Sequence, residues 1–124
     1  SRHQMQLLHC NSPLSDLNIH RNNKDMNQIT GSYNTASGGL SLYANIGSNN
    51  TAIGYDALNN NTTASSNTAV GYQAGYNNTT GQFNALLGYQ AGYSNTTGTA
   101  LTALGYRALY ANTTGTQNTA VGSV

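Results

Sequence analysis

The chain has 124 residues, of which 37% are hydrophobic and 6% are charged, with a formal net charge of +1. A globular chain usually carries about 25% charged residues, and nucleic-acid-binding domains add a marked basic excess, so this composition argues against a nucleic-acid partner. No run of about 18 apolar residues is present, which argues against insertion into a membrane, and a single cysteine, Cys10, allows no internal disulfide.

Residues 1–30 differ from the rest of the chain in composition. They hold five of the seven charged side chains, all three histidines, the only cysteine, both methionines and the only proline. The chain also begins without methionine or a basic-then-apolar leader, so we expect a fragment or a processed chain. We interpret residues 1–30 as a non-repetitive docking or linker segment and residues 31–124 as a repeat domain.

The repeat domain consists of units of nearly constant length. A glycine that follows Ile, Val or Leu recurs at every seventeenth position from Gly54 onward, and the first four of these glycines precede a tyrosine. The units lie at 34–49, 50–66, 67–83, 84–100 and 101–117, with a partial unit at 118–124. A fixed short period is the signature of a solenoid in which each unit stacks on the previous one.

Each unit contains one short strand and a return segment. In TAVGYQA, Thr68, Val70 and Tyr72 alternate with Ala69 and Gly71 as in a strand, whereas the following Asn, Thr and Gly residues favour turns and disfavour helix. We therefore predict an all-β fold, a parallel β-roll or β-solenoid.

Stacking places equivalent residues about 4.8 Å apart, so identical side chains form ladders. We expect an asparagine ladder through the amides and a tyrosine ladder through stacked rings. The tyrosine ladder comprises Tyr55, Tyr72, Tyr89 and Tyr106. So thin a coil buries few side chains, and this burial does not easily offset the entropy lost when the backbone becomes ordered. We therefore also expect several chains to associate around a common core.

The unit N-T-A-[IVL]-G-Y-x-A, present at 50–57 and 67–74, resembles the head repeats of YadA-type trimeric autotransporter adhesins. It is closer still to IGYQAG…NTTG repeats of bacteriophage tail-fibre-like proteins and of surface proteins of large DNA viruses of algae. The resemblance covers residues 34–124 and implies a left-handed parallel β-roll, an intertwined or side-by-side homotrimer. The adhesin unit is shorter, and the additional residues here enlarge the Asn-Thr-Thr loop.

The resemblance also implies which residues form the structural core. The hydrophobic residue of each unit would be buried, and the glycine after it would allow a tight turn or a close chain contact. These residues are Ile53, Val70, Leu87, Leu104 and Val121 together with Gly54, Gly71, Gly88, Gly105 and Gly122.

The sequence offers little for catalysis or metal binding. His3, His9, Cys10 and His20 lack the short paired spacing of a zinc site, and Cys10 has no identified base. Asp56 is the only carboxylate of the repeats, whereas glycoside hydrolysis requires two. We therefore predict no enzyme activity, no catalytic residue, no metal and no cofactor.

Two interpretations remain open for the other recurring tyrosines and asparagines. They either form a binding surface for a cell-surface glycan or receptor, or they only hold the stack together. The candidate surface residues are Tyr76, Tyr93, Tyr110, Asn78, Asn95 and Asn112.

Two further motifs follow from the Asn-Thr-Thr triplets. Regular threonines suggest ice binding, but adjacent threonines in a strand face opposite sides and do not form a flat array. Seven asparagines begin N-x-[ST] sequons, which accept a glycan on a eukaryotic secretory route and are otherwise turn residues. They are Asn49, Asn60, Asn61, Asn77, Asn78, Asn95 and Asn112.

These patterns predict a structural segment of a surface fibre, spike or adhesin, located outside the cell, on a cell surface or on a virion. It would attach to a host or cell through many weak contacts that add up to avidity. The alternative is a self-assembling extracellular or capsid-associated filament with no receptor of its own, in which residues 1–30 dock one subunit to the next.

Overall fold

The computed structural model describes residues 19–21, as backbone only, and residues 30–123. This part contains seven strands, each of them short. The strands are β1 (Ile19–Arg21), β2 (Thr35–Ser37), β3 (Thr51–Ile53), β4 (Thr68–Val70), β5 (Ala85–Leu87), β6 (Thr102–Leu104) and β7 (Thr119–Val121). All pair in parallel and in chain order in a single sheet. The predicted all-β parallel solenoid is confirmed, and no helix in the described residues is long and apolar enough to cross a membrane.

The sheet begins before the predicted boundary at residue 30. Strand β1 belongs to the segment that we interpreted as non-repetitive, yet Ile19 pairs with Thr35 and Arg21 with Ser37 in the same register as the later strands. At least this part of residues 1–30 is therefore a layer of the solenoid.

The register follows the repeat length. Thr51 pairs with Thr68, a full period further along the chain, but Thr35 pairs with Thr51, which is one position closer. The shorter unit 34–49 lacks one residue after Asn45: Asn45 still bonds to Asn61, whereas Gly47 lies against Ala64. This unit is thus a regular turn of the coil with one residue fewer in the segment that holds Thr-Thr in later units. We call each turn of the coil a rung.

Each strand ends in consecutive tight turns that reverse the chain. In the unit 67–83, the amides of Ala74, Tyr76 and Asn78 donate to the carbonyls three residues earlier, at 3.1, 3.2 and 3.0 Å. The third residues of the first two turns, Gln73 and Gly75, have φ values of 54° and 63°. Such turns favour glycine at that position, which explains why glycine recurs at the second of these positions in two units.

The hydrophobic core lies inside the coil and is only one or two side chains wide. Successive residues of a strand face opposite sides, and the middle residue of each of β2–β6 points inward. These residues, Ala36, Ala52, Ala69, Leu86 and Ala103, are at most 1% exposed. A second inward row comes from the turns and consists of Ala57, Ala74, Ala91 and Ala108.

Leu86 replaces the alanine of the other strands because the turns beside it lack a side chain. A Cβ added at Gly75 would lie 2.9 Å from a Leu86 methyl group, and one added at Gly92 would lie 2.8 Å from the other. The position of Gly75 is occupied by the buried Leu58 in the preceding unit, whose strand carries Ala52. A larger side chain on the strand therefore compensates for a missing side chain in the turn, and the interior stays filled.

The predicted hydrophobic core is wrong for the interior of a single chain. Ile53, Leu87 and Val121 are 42%, 47% and 73% exposed, and Val70 and Leu104 are half-buried. The reason is geometric: so short a strand turns only its middle residue inward, and these residues occupy the third position. They lie on the outer surface of the sheet.

The glycines that follow these residues do make close contacts, but between rungs of one chain. A Cβ built at Gly88 would lie 2.5 Å from the carbonyl oxygen of Gly105, and one at Gly71 would lie 2.5 Å from that of Gly88. Their φ values of 136° and 133° also disfavour any side chain. Because these glycines have no side chain, the backbones of successive rungs contact each other directly.

Two rows of buried asparagines hold the rungs together. In the first asparagine ladder, the Oδ1 of each residue accepts the backbone N–H of its counterpart in the next rung at 2.9 Å. It comprises Asn34, Asn50, Asn67 and Asn84 and ends where Leu101 replaces asparagine. In the second asparagine ladder, the side-chain amides bond to one another at 2.6–3.0 Å. It comprises Asn45, Asn61, Asn78, Asn95 and Asn112.

Candidate functional site

The outer surface of the sheet carries a continuous aliphatic row. Its members are the third residues of β3–β7, Ile53, Val70, Leu87, Leu104 and Val121, and three of them are more than 40% exposed. The first strand residues beside them are mostly threonines, so this surface carries no charge. An apolar stripe of this regularity is typical of an interaction surface.

A first tyrosine ladder runs parallel to the aliphatic row, on the other side of the stacked glycines. Tyr55, Tyr72, Tyr89 and Tyr106 stack with ring centroids 5.9, 5.2 and 5.4 Å apart and interplanar angles of at most 14°. The rings remain 42–52% exposed. The predicted stacking ladder is present at every one of its four positions.

A second tyrosine ladder lies beyond the first turn. The rings of Tyr76, Tyr93 and Tyr110 stack at 5.3 and 5.0 Å with interplanar angles of 8° and 5°, and the guanidinium of Arg107 lies 3.9 Å from the centroid of Tyr110. Each interior ring face is therefore covered by a neighbour. These covered faces are not free to stack on a sugar ring.

The residue after each tyrosine of the first ladder is polar, and in two units it is a glutamine, so that Gln73 and Gln90 form a short amide ladder. The Gln90 Nε2 donates to the Gln73 Oε1 at 2.8 Å, and the Gln73 Nε2 donates to the Asp56 Oδ2 at 3.4 Å. At the equivalent position of the next unit, the guanidinium of Arg107 lies 6.0 Å from the ring of Tyr106 as well as over Tyr110. This arginine links both tyrosine ladders through cation–π contacts, and its buried Nε has no hydrogen-bond partner. This row thus carries one carboxylate, two amides and one guanidinium.

The electrostatics of this surface favour the neutral form of Tyr93. Burial raises the pKa of Tyr93, and the neighbouring hydroxyls of Tyr110 and Tyr76 raise it further because adjacent phenolates would repel. The pKa of Arg107 is also raised, chiefly by its interaction with the Tyr110 side chain. Arg107 therefore remains a cation.

Two of the three asparagines that we assigned to a binding surface lie inside the coil instead. Asn78 and Asn95 are 0% exposed, and Asn112 is half-buried and donates to Asn95 at 3.0 Å. The prediction that Asn78 and Asn95 face a partner is wrong, because both amide groups are occupied by contacts within and between rungs. The repeat period alone does not distinguish an inner ladder from an outer one.

Adjacent threonines of each triplet have different roles. The Oγ1 of Thr79 donates to the carbonyl of Thr96 in the next rung at 3.1 Å, and Thr62 and Thr96 do the same at 3.2 Å. The second threonines are exposed to solvent: Thr63, Thr80, Thr97 and Thr114. The first threonine therefore supports the stack, and the second is a surface residue.

The candidate metal and nucleophilic residues come from the first segment. His3, His9 and Cys10 lie outside the described residues, and His20 is described only as backbone in β1. Among the residues that the structure describes, no three His, Cys, Asp or Glu side chains are grouped so as to hold a metal ion.

Comparison with known proteins gives no family assignment. No protein-family model, no curated protein and no solved structure matches the chain. Function must therefore be inferred from the geometry of the two tyrosine ladders, the amide ladder and the aliphatic row.

Proposed function

We propose that this chain is a structural repeat segment of a surface fibre, spike or adhesin, in which several copies associate side by side, as a homotrimer, and attach to a host or cell surface through many weak contacts. The observation that carries the proposal is the aliphatic row. It exposes one apolar side chain per rung from β3 to β7, on a solenoid whose own interior is filled chiefly by alanine and asparagine.

A second copy of the chain is the partner that fits this row best. Its apolar residues recur at the rung spacing of about 4.8 Å, and another copy carries the same spacing, so every rung is in register at once. Burial of each exposed aliphatic side chain contributes about 1 kcal/mol or more. Several rungs from each chain together supply the buried apolar surface that a thin coil lacks.

Oligomeric state tests this part of the proposal. Multi-angle light scattering is expected to give about three times the chain mass of 13.0 kDa. Leu87→Asp places a charge in the apolar row and is expected to yield monomers, because an unpaired charge is costly to bury. Thr97→Asp, which adds the same charge at an exposed site outside that row, is the matched control and should leave the oligomer intact. A folded wild-type monomer would contradict the proposal.

Attachment would use the surface between the two tyrosine ladders. Ring hydroxyls and the Gln73–Gln90 amide ladder offer repeated hydrogen-bond donors and acceptors, which suit hydroxyl-rich glycans. Weak binding at each copy becomes avidity in an oligomer. The experiment is a glycan array probed with the labelled oligomer and with Tyr93→Ala; binding that is lost in the variant while the oligomer persists supports attachment, and an oligomer that binds nothing favours the filament without a receptor.

A further inference from the structure

The structure divides the seven sequons of the repeat domain into two kinds. Asn49 is exposed and Asn60 and Asn77 are half-buried on the coil surface, whereas Asn61, Asn78 and Asn95 are 0% exposed. Asn112, the remaining sequon, is half-buried and belongs to the same second asparagine ladder. More than half of the acceptor asparagines are therefore structural side chains of the coil.

In each of the four sequon asparagines of this ladder, the amide nitrogen uses both of its hydrogens. The Asn78 Nδ2 donates to the Asn61 Oδ1 at 2.8 Å and to the Gly81 carbonyl at 3.0 Å. The Asn95 Nδ2 donates in the same way to Asn78 and to Gly98, at 2.8 and 3.0 Å. Neither hydrogen is available for replacement without loss of a hydrogen bond in the interior.

N-glycosylation replaces one of these hydrogens. The amide nitrogen forms a bond to the first carbon of the oligosaccharide, one N–H bond breaks, and the lipid diphosphate of the donor leaves with the proton taken up by solvent. The product would place a saccharide where there is no space, because the Asn78 side chain is 0% exposed and its Nδ2 lies 2.8 Å from the Asn61 Oδ1 and 3.0 Å from the Gly81 carbonyl oxygen. A chain modified at Asn78 could not close its coil.

We infer that this chain folds only where N-glycosylation does not act, and that its buried sequons make it incompatible with the eukaryotic secretory route. The transfer takes place on the unfolded chain, before burial protects an acceptor, so the native hydrogen bonds offer no protection. This incompatibility does not depend on the proposed function and restricts it to a surface structure assembled by a prokaryote or in a cytoplasm.

The exposed threonines give a test that leaves the ladder itself unchanged. Thr63, Thr80, Thr97 and Thr114 complete the sequons of Asn61, Asn78, Asn95 and Asn112, and they face solvent. Replacing all four by alanine removes the acceptor motif and keeps every ladder asparagine. Replacing all four by serine keeps the motif and makes a comparably small surface change, which provides the matched control.

The full chain, the four-alanine variant and the four-serine variant are each expressed in a eukaryotic cell, once in the cytosol and once behind a secretory leader. In the cytosol all three are expected to be soluble and resistant to limited proteolysis. Behind the leader, the wild type and the four-serine variant should carry glycans on ladder asparagines and be retained or degraded. The four-alanine variant should be secreted in folded form, with any glycans confined to Asn49, Asn60 and Asn77.

Mass spectrometry of glycopeptides identifies the modified residues. Secretion of folded wild-type chain, whether glycans are found on Asn61, Asn78 and Asn95 or those residues are skipped, would overturn the inference. A four-alanine variant that folds in the cytosol but fails behind the leader as severely as the wild type would overturn it as well, because the ladder sequons would then not be the cause.

Discussion

The side-chain Nδ2 of Asn95 donates a hydrogen bond to the Oδ1 of Asn78 over 2.8 Å, and both side chains are completely buried. Each amide also donates to a backbone carbonyl three residues later in its own rung. The same side chain thus closes a loop within one rung and bonds to the next, so the local turn and the long-range stack depend on one residue type.

Asn78→Ala is expected to lower the free energy of unfolding by about 2–4 kcal/mol. The substitution leaves the Asn61 Oδ1 and the Gly81 carbonyl without this donor in the interior, and it opens a cavity. Urea denaturation followed by circular dichroism measures the change.

The adjacent Asn77 provides the control for this prediction. Its side chain lies on the surface and accepts a single bond of 3.3 Å from Asn60, so Asn77→Ala should cost less than about 1 kcal/mol. Equal losses in the two variants would contradict the assignment of the ladder as the main polar support of the interior.

Leu86 and Gly92 are expected to behave as a coupled pair. Gly92→Ala alone should destabilise the fold by about 2–4 kcal/mol, because the new methyl group meets both methyl groups of Leu86. The backbone at this position also has a φ of 63°, which disfavours alanine. Leu86→Ala alone should cost about 2–5 kcal/mol through the cavity that it leaves. In the double variant the methyl group occupies part of that cavity. The double variant should therefore lose about 1 kcal/mol or more less stability than the sum of the two single variants. Strict additivity in a double-mutant cycle would show that the two side chains do not share one space.

The stacked glycines allow the steric and conformational costs of a side chain to be separated. Gly88→Ala brings a methyl group against the Gly105 backbone at 2.5 Å and should cost about 3 kcal/mol or more. Gly122 has a similar φ of 119° but no atom within 4 Å of an added Cβ, so Gly122→Ala should cost only about 1–2 kcal/mol. Thermal denaturation of the two variants compares them directly; similar losses would mean that φ alone explains the glycine row.

The constant period of the sequence predicts the parallel stack and the first tyrosine ladder because both follow from repetition alone. Whatever the shape of the coil, equivalent residues lie one rung apart, so Tyr72 must lie beside Tyr55 and Tyr89. The repeat period does not determine which side of the strand faces inward. Val70 is larger and more apolar than Ala69, so the sequence favours valine as the core residue. The inward position nevertheless holds alanine in most units, and it holds the larger Leu86 where the turns beside it carry glycine.

The same limit explains the wrong prediction that Asn78 and Asn95 face a partner. Asn78 and Asn77 are neighbours of identical type, and only the path of the turn decides that the first is buried and the second is not. A usable signal exists in hindsight: Asn78 recurs as asparagine in every complete unit, whereas the position of Asn77 becomes Ser94 and Ala111. Variation between units therefore separates these two asparagine positions, but it is not a general rule, because Tyr55, Tyr72, Tyr89 and Tyr106 are equally invariant and lie on the surface.

Tyr93 is expected to make folding sensitive to alkaline pH. Its pKa is raised in the folded chain by burial and by its tyrosine neighbours, so the folded state holds this proton more tightly than the unfolded state. The resulting stabilisation is fully present below the unfolded tyrosine pKa and is lost as the pH rises through the folded pKa. Urea midpoints measured across this alkaline range should therefore fall for the wild type.

Tyr93→Phe removes the titrating group but keeps the ring in the stack, so its urea midpoint should fall less over the same alkaline range. Tyr55→Phe, in the first tyrosine ladder, retains Tyr93 and should follow the wild type more closely. Each variant lacks one phenol hydroxyl, so the informative quantity is the difference between the urea midpoints of the two variants. If Tyr93→Phe lost stability as steeply as Tyr55→Phe, the proton on Tyr93 would not be linked to folding, and the second tyrosine ladder would stabilise the coil by ring stacking alone.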